Sequence, residues 1–313
     1  MIFFGSGAFG LPTLQRLAAR ETIHAIVSQP DRPAGRGGHP TATTIAAWAA
    51  AHLPAVPILK PERVREPDVI ARIRSLEPGP APCFVVIAFG QKMPAELLES
   101  VFAINLHASL LPRWRGAAPI NAAILAGDTV TGNSVITLAD RMDAGLVLGQ
   151  STRDIPPTTT AGELHDLLSA DGPDLVDQVL RDWRAGSLHA ITQDEALVTK
   201  AVKLRKEDAW IDFAQGAEAC RRRVHGLTPW PGVTVRFRGE DLKLLRVNPE
   251  GTTSQQPPGT IIDARRGLVA CAASTLRLLD VQPAGKKPMT WDSFANGRRV
   301  ADHEIIEGRG GAC

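Results

Sequence analysis

The sequence has no long apolar run, no closely spaced cysteines and little net charge. Each absence removes a class of protein. Nowhere in its 313 residues is there a stretch of about 18 or more apolar side chains, so nothing is expected to span a membrane. Its four cysteines, Cys83, Cys220, Cys271 and Cys313, lie far apart and form no CxxC pair. That spacing argues against a zinc knuckle and against a disulfide framework. No His/Cys/Asp grouping has ligand spacing, so no metal is expected. Met1 runs straight into Ile2-Phe3-Phe4-Gly5 with no basic leader and no cleavage site. This predicts no signal peptide and a cytoplasmic location. Repeats and low-complexity tracts are absent, and nothing suggests an oligomer, so a monomer is expected.

What is present fits a globular chain long enough for two domains, with 22% charged and 44% hydrophobic residues. The net charge of +2 is unevenly spread. From Ser187 onward there are 19 Lys and Arg against 15 Asp and Glu; before it there are 16 against 18. The C-terminal part therefore allows a polyanionic partner without requiring one.

Up to residue 107 the pattern alternates strand and helix. Ile2–Phe4, Ile23–Val27, Val56–Leu59, the apolar run from Cys83 to Phe89 and the segment Phe102–Leu106 are the predicted strands. An unbroken apolar run such as Cys83-Phe84-Val85-Val86-Ile87 suits a central parallel strand buried on both faces. The fold class expected is α/β, a Rossmann-like doubly wound parallel sheet. Two more strands, Ser134–Leu138 and Leu146–Gln150, and a long helix from Thr160 to Trp183 follow. Periodicity fades between about 187 and 206, which suggests a linker. Beyond it, five short alternating segments separated by Gly and Pro suggest a small β-barrel. The expected domains are thus 1–186, a linker 187–206, and 207–313.

The segment Ile104–Ile120 holds the most chemistry. Asn105 and His107 sit two apart on a strand, so both point to one face, at the strand end where α/β sheets bind ligands. One carries two N–H donors; the other exchanges a proton near neutral pH. Asp143, in a turn beside Gly145, is placed to reach back over this strand. A structural histidine in an apolar strand is the bland alternative. Gly5-Ser6-Gly7-Ala8-Phe9-Gly10 matches G-x-G-x-x-G, which raises an NAD-dependent oxidoreductase as a rival. The second strand ends in Ser28-Gln29-Pro30 without the acid that would hold a ribose, which weighs against it.

Asn105-Leu106-His107-Ala108-Ser109-Leu110-Leu111-Pro112-Arg113-Trp114-Arg115-Gly116-Ala117-Ala118-Pro119-Ile120 resembles the signature of the methionyl-tRNA formyltransferase family. Gln29-Pro30-Asp31-Arg32-Pro33-Ala34-Gly35-Arg36-Gly37, Pro229-Trp230-Pro231-Gly232 and Gln282-Pro283-Ala284-Gly285-Lys286-Lys287 are similar to its other motifs. The family usually has Gly-Thr-Pro where Gly5-Ser6-Gly7 stands here, and this difference creates the nucleotide-binding look-alike. The resemblance implies a formyltransferase domain followed by an OB-like tRNA-binding domain. It implies 10-formyltetrahydrofolate as co-substrate and initiator methionyl-tRNA as acceptor. Asn105, His107 and Asp143 become the catalytic set. Ser109, Leu110, Leu111 and Pro112, with Ile87, Phe89 and Gly90, become the folate-binding segments. Arg32 and Arg36 become tRNA contacts.

In the chemistry this implies, an amine attacks the formyl carbon. Asn105 and His107 then donate to the oxyanion, and Asp143 holds the ring in its protonated form. The competing readings are a formyltransferase of a small amine (an amino sugar or glycinamide ribonucleotide), the NAD-dependent oxidoreductase, and a non-catalytic RNA-binding protein.

Overall fold

The computed structural model describes residues 1–34, 38–77, 79, 81–251 and 253–308. Its contacts separate two compact units. The first takes Met1–Arg115, Gly132–Arg153 and His165–Lys200; the second takes Gly116–Thr131, Asp154–Leu164 and the described residues from Ala201 onward. Among the described residues, no helix is long and apolar enough to cross a membrane.

In chain order the elements begin β1 (Ile2–Gly5), α1 (Leu11–Arg20), β2 (Ala25–Val27), β3 (Arg32–Ala34), β4 (His39–Thr41), α2 (Thr44–His52) and β5 (Ile58–Leu59). Next come α3 (Pro67–Arg74), β6 (Cys83–Ile87), α4 (Ala95–Leu98), β7 (Phe102–His107), β8 (Arg115–Gly116) and α5 (Pro119–Ala126). They continue with β9 (Val130–Thr137), β10 (Val147–Asp154), α6 (Ala161–Arg184), β11 (Lys200–Ala201) and α7 (Ala217–Leu227). The remainder is β12 (Val233–Phe237), β13 (Glu240–Glu250), β14 (Ile261–Asp263), β15 (Leu268–Cys271), β16 (Ser274–Pro283), β17 (Met289–Thr290), α8 (Trp291–Arg298) and β18 (Ile306–Glu307).

The first unit is built on a sheet of order β10-β9-β7-β6-β1-β2-β5. The strands from β7 to β5 are parallel, with Ile2 beside Phe84 and Val86 beside Asn105. All five residues of β6 are buried, which is what its unbroken apolar run demands. Phe4 meets the Phe84 ring at 5.0 Å and the Phe89 ring edge-on at 5.5 Å, so the apolar centre extends to the strand ends. Two strands, β9 and β10, extend the parallel set: β9 runs antiparallel to β7, placing Ser134 beside His107 and Ile136 beside Asn105. Helix α6 covers the opposite face of β7. A methyl group on its Gly172 would lie 2.7 Å from Leu106 Cδ2, so the helix packs closely enough that the leucine would have to shift to admit one. Leu106 is thus turned into the core, and Asn105 and His107 onto the other face.

The Gly- and Pro-rich composition of Asp31–Gly38 predicts a loop, but within it Arg32–Ala34 forms β3 of a short hairpin. Arg32–Ala34 pairs antiparallel with His39–Thr41, and Pro33 stands opposite Pro40. Proline's fixed φ suits this extended backbone.

The second unit is an antiparallel sheet of order β14-β15-β16-β13-β12-β18, with β17 added to β16, forming a nearly closed barrel. Register shifts around Arg246 in β13 mark a bulge that bends the long β13–β16 pair. Its core gathers Val224, Leu227, Val235, Leu244, Val269, Leu276, Val281 and Trp291. The buried Trp291 Nε1 donates to Ala264 O at 2.8 Å.

His225 of α7 has no solvent exposure and works as a neutral strut. Its Nδ1 donates to Pro157 O at 3.1 Å, while its Nε2 accepts from Val247 N at 3.2 Å. Burial, together with the Arg221 charge, pushes its pKa down to about 4. Between the unfolded value near 6.5 and about 4, the unfolded chain binds a proton that the folded chain refuses. Stability therefore falls as pH drops through that window, by roughly 3 kcal/mol at most. Urea midpoints measured from pH 7.5 to 4.5 should decline accordingly. In His225→Gln the decline should be flatter, from a lower starting stability.

Candidate active site

The site begins at the C-terminal end of β7. Asn105 is half-buried there and His107 is 7% exposed. Among the described residues, the Asn105 amide has no hydrogen-bond partner, so both of its N–H donors are available to a ligand. His107 is held on both sides. Its Nε2 lies 2.9 Å from the carbonyl oxygen of Trp114. A carbonyl only accepts, so Nε2 carries a hydrogen. Nδ1 then faces Asp143 Oδ2 at 3.6 Å, an ion-pair distance slightly beyond a direct hydrogen bond. The structure thus brings His107 and Asp143 to ion-pair distance, with the Asn105 amide two residues away along the same strand face.

Two backbone turns make the meeting possible. Trp114 adopts φ 64, uncommon for a bulky side chain, as its carbonyl accepts the hydrogen bond from His107 Nε2. Asp143 adopts φ 55, a conformation that aspartate tolerates better than most residues. The turn carrying it closes tightly on β9. Leu146 N donates to Thr137 Oγ1 at 2.9 Å, and a methyl group on Gly145 would lie 1.7 Å from Thr137 O. The neighbouring Asp140 sits 3.9 Å from Lys92 Nζ and is 96% exposed, an ordinary turn residue.

The loop after His107 is cross-braced from beneath. Ser109 is fully buried, and its Oγ donates to Arg113 O at 2.6 Å. Its own carbonyl accepts from Ser134 Oγ at 2.6 Å. Ser134 Oγ in turn accepts from Leu111 N at 3.0 Å and from Gln150 Nε2 at 2.8 Å. Of the segment expected to touch folate, Ser109 and Leu111 therefore face inward, and Leu110 and Pro112 are half-buried. At the end of β6, Ile87 and Phe89 are likewise core side chains, and Ala88 and Gly90 are exposed. What this strand end presents is backbone.

The glycine pattern near the N-terminus has a packing cause. A methyl group on Gly5 would meet the Phe3 ring at 2.6 Å and Ile87 O at 2.9 Å; on Gly10 it would meet Ile87 at 3.1 Å. Ser6 closes the junction: its Oγ accepts from Gln29 N at 3.0 Å and donates to Phe89 O at 3.4 Å. Where a ribose-binding acid would stand, Ser28 is buried and 2.6 Å from Thr43 Oγ1. The dinucleotide look-alike therefore serves to pack the sheet against the start of α1.

The arginines divide. Arg32 pairs with Glu62 at 2.7 Å, both well exposed. Arg36 lies outside the described residues. The Arg221-Arg222-Arg223 run, the densest basic stretch, is engaged within its own unit. Arg221 and Arg222 bind Glu218 and hold it at a pKa of about 2. Arg223 stacks 3.5 Å from the Trp210 ring centroid and donates to Trp210 O at 2.6 Å. Among the described residues no group of three or more His, Cys, Asp or Glu could hold a metal ion.

Residues 1–180 match the family model described as formyl transferase, and residues 203–299 match formyl transferase, C-terminal domain. The methionyl-tRNA formyltransferase of Geotalea daltonii is 40% identical over 307 residues, covering 96% of each chain. The chain belongs to the methionyl-tRNA formyltransferase family. The namesake from Streptomyces griseus is 37% identical, with 98% of this chain and 99% of that one covered. Solved structures agree in fold. A sugar 3N-formyl transferase, WlaRD, solved with dTDP and 5-N-formyl-THF, superposes with a TM-score of 0.66 at 12% identity, over 91% of this chain and 98% of that one. HypX from Aquifex aeolicus, in complex with tetrahydrofolic acid, gives 0.61 at 15% identity, over 98% of this chain and 50% of that one.

Gly145 and Gly7 differ in what an added side chain would meet. Gly145→Ala should displace the Asp143 turn, lowering stability by about 1–3 kcal/mol and slowing turnover. Gly7→Ala places its methyl 3.5 Å from Ala88 Cβ, an ordinary contact at a normal φ, and should shift stability by less than about 0.5 kcal/mol. Urea unfolding of the two variants checks both.

Proposed function

We propose that this protein transfers the formyl group of 10-formyltetrahydrofolate to the α-amino group of methionine carried on initiator tRNA. The observation that carries the reading is the unpartnered Asn105 amide on the strand face that also bears the His107–Asp143 pair. It stands in a chain matched end to end by relatives bearing that name.

In the reaction the amine nitrogen attacks the formyl carbon, and the carbonyl π pair moves onto oxygen. Asn105 Nδ2 donates to that oxyanion from a fixed strand position. Because Nε2 of His107 is tied to Trp114, proton handling falls to Nδ1, next to the Asp143 carboxylate. Asp143 stabilises the cationic ring while the proton leaving the attacking nitrogen travels toward the departing folate nitrogen. The carbon–nitrogen bond to folate then breaks, the oxyanion collapses to the new formamide, and tetrahydrofolate leaves. Charge and protons balance without a metal ion.

Residues 1–186 carry this chemistry in the proposal, and 207–313 hold the RNA, in a cytoplasmic, monomeric enzyme. With Arg221–Arg223 engaged internally, the cations left for phosphates in the second unit include Lys243, Lys286 and Lys287. Among the described residues, none of these has a carboxylate at ion-pair distance. Trp230, 50% exposed in the Pro229–Gly232 turn, offers an aromatic face of the kind that bases stack on. Arg32 would contact the same substrate from β3, and Arg36, outside the described residues, is proposed to join it.

The direct test is incubation with 10-formyltetrahydrofolate and methionine-charged initiator tRNA, scoring the blocked amine. Preferential formylation of a free amino sugar or another small amine in competition would replace this substrate assignment. Asn105→Ala should lose roughly 10²–10³ in kcat while folate still binds; near-parental turnover removes Asn105 from the reaction. Lys286→Glu with Lys287→Glu should raise the KM for tRNA and flatten its salt dependence by about one log–log slope unit per lost phosphate contact. The folate KM should not change.

A further inference from the structure

The stretch that the sequence presents as a featureless linker is tied to both members of the catalytic pair. Gln193 is 7% exposed. Its Nε2 donates to Asp143 O at 2.8 Å and to Gly145 O at 2.7 Å. Its Oε1 accepts from Arg115 Nε at 2.9 Å. Only one orientation of the amide satisfies two carbonyls and a guanidinium together, so its direction is fixed by its partners. Arg115, 8% exposed, reaches on to Glu195 Oε1 at 3.0 Å, and Arg141, from the Asp143 turn itself, meets the same carboxylate at 3.0 Å. Six residues beyond Gln193, Thr199 Oγ1 accepts from Trp114 N at 2.9 Å, and Thr199 O accepts from Arg115 N at 2.9 Å. Trp114 is the residue whose carbonyl holds His107.

One strap, Gln193 to Thr199, therefore fixes the left-handed turn that presents Asp143 and the left-handed residue that anchors the imidazole. We propose that Gln193 and Thr199 are positioning residues that set the His107 Nδ1–Asp143 geometry, Gln193 from the acid's side and Thr199 from the ring's. This rests on the catalytic reading of that pair. Without the Gln193 donors, the carbonyls of Asp143 and Gly145 lose these partners, and the turn that holds φ 55 at the acid loses two of its bonds. A displacement on the order of 1 Å at a reacting pair typically costs up to about 10² in rate.

The test is a double-mutant cycle on the full chain, using Gln193→Met, which keeps volume and removes the amide, against Asp143→Asn. Gln193→Met should lower kcat roughly 10- to 100-fold, with the folate KM within about twofold of the parent. In the Asp143→Asn background the same change should cost less than about twofold, because the geometry it protects is already without its charge. The acidic limb of the kcat/KM profile should move in Gln193→Met, which a loss of folded protein alone does not produce. Parental turnover by Gln193→Met, or its full cost repeated on top of Asp143→Asn, overturns the strap while leaving the pair's role standing. Parental turnover by Asp143→Asn overturns the pair and the strap together. Should Gln193→Met fold poorly, Thr199→Val decides from the other end: a several-fold fall in kcat at an unchanged melting temperature supports the strap, and a parental kcat rejects it.

Discussion

A single hydrogen bond, from an imidazole to the main chain, determines what this site is able to do. With one ring nitrogen of His107 given to the carbonyl of Trp114, the tautomer and ring plane are set together, and only the other nitrogen is left for chemistry. That nitrogen points at a carboxylate. Everything around it maintains this arrangement: a bulky residue in a left-handed conformation, a buried serine bracing the loop, and a turn closed so tightly that only glycine fits. In the proposed reaction the donors for a developing oxyanion come from a different source, a strand amide that has no hydrogen-bond partner among the described residues. In that reading the two tasks are separate, the amide facing the oxyanion and the pair serving the proton transfer.

The sheet supplies precision where loops would not. Asn105 is registered between Val86 on one side and Ile136 on the other, so its position follows from the ladder itself. The packing of α6 on Leu106 decides which face of the strand remains for ligands. Side-chain alternation then does the rest, because a strand with one face sealed by a helix has no choice about where its odd-numbered residues go.

Much of this was legible in the residues. The apolar run of β6, the two-residue spacing of Asn105 and His107, and the Gly-bounded turn with Asp143 are local patterns with fixed geometric meaning, and each lies where its pattern indicated. The hairpin begun by Arg32 was missed because a segment rich in Gly and Pro carries no alternation to betray a strand. The strap was missed for a deeper reason. Gln193 and Thr199 act through contacts 50 and 85 residues away in sequence, and a polar residue in an aperiodic stretch looks the same whether it is solvated or buried against a distant turn. The glycine fingerprint misled in the opposite sense. Close approach of a helix start to a strand and close approach of a backbone to a pyrophosphate call for the same small residues.

The triple arginine of α7 bears on how the surface meets other molecules. Its guanidinium groups clasp a carboxylate, main-chain carbonyls and an indole ring inside their own unit, so their donors are already committed when a polyanion approaches. Their positive charge still adds to attraction at long range, but a tally of Lys and Arg overstates how many donors remain to grip a phosphate at contact.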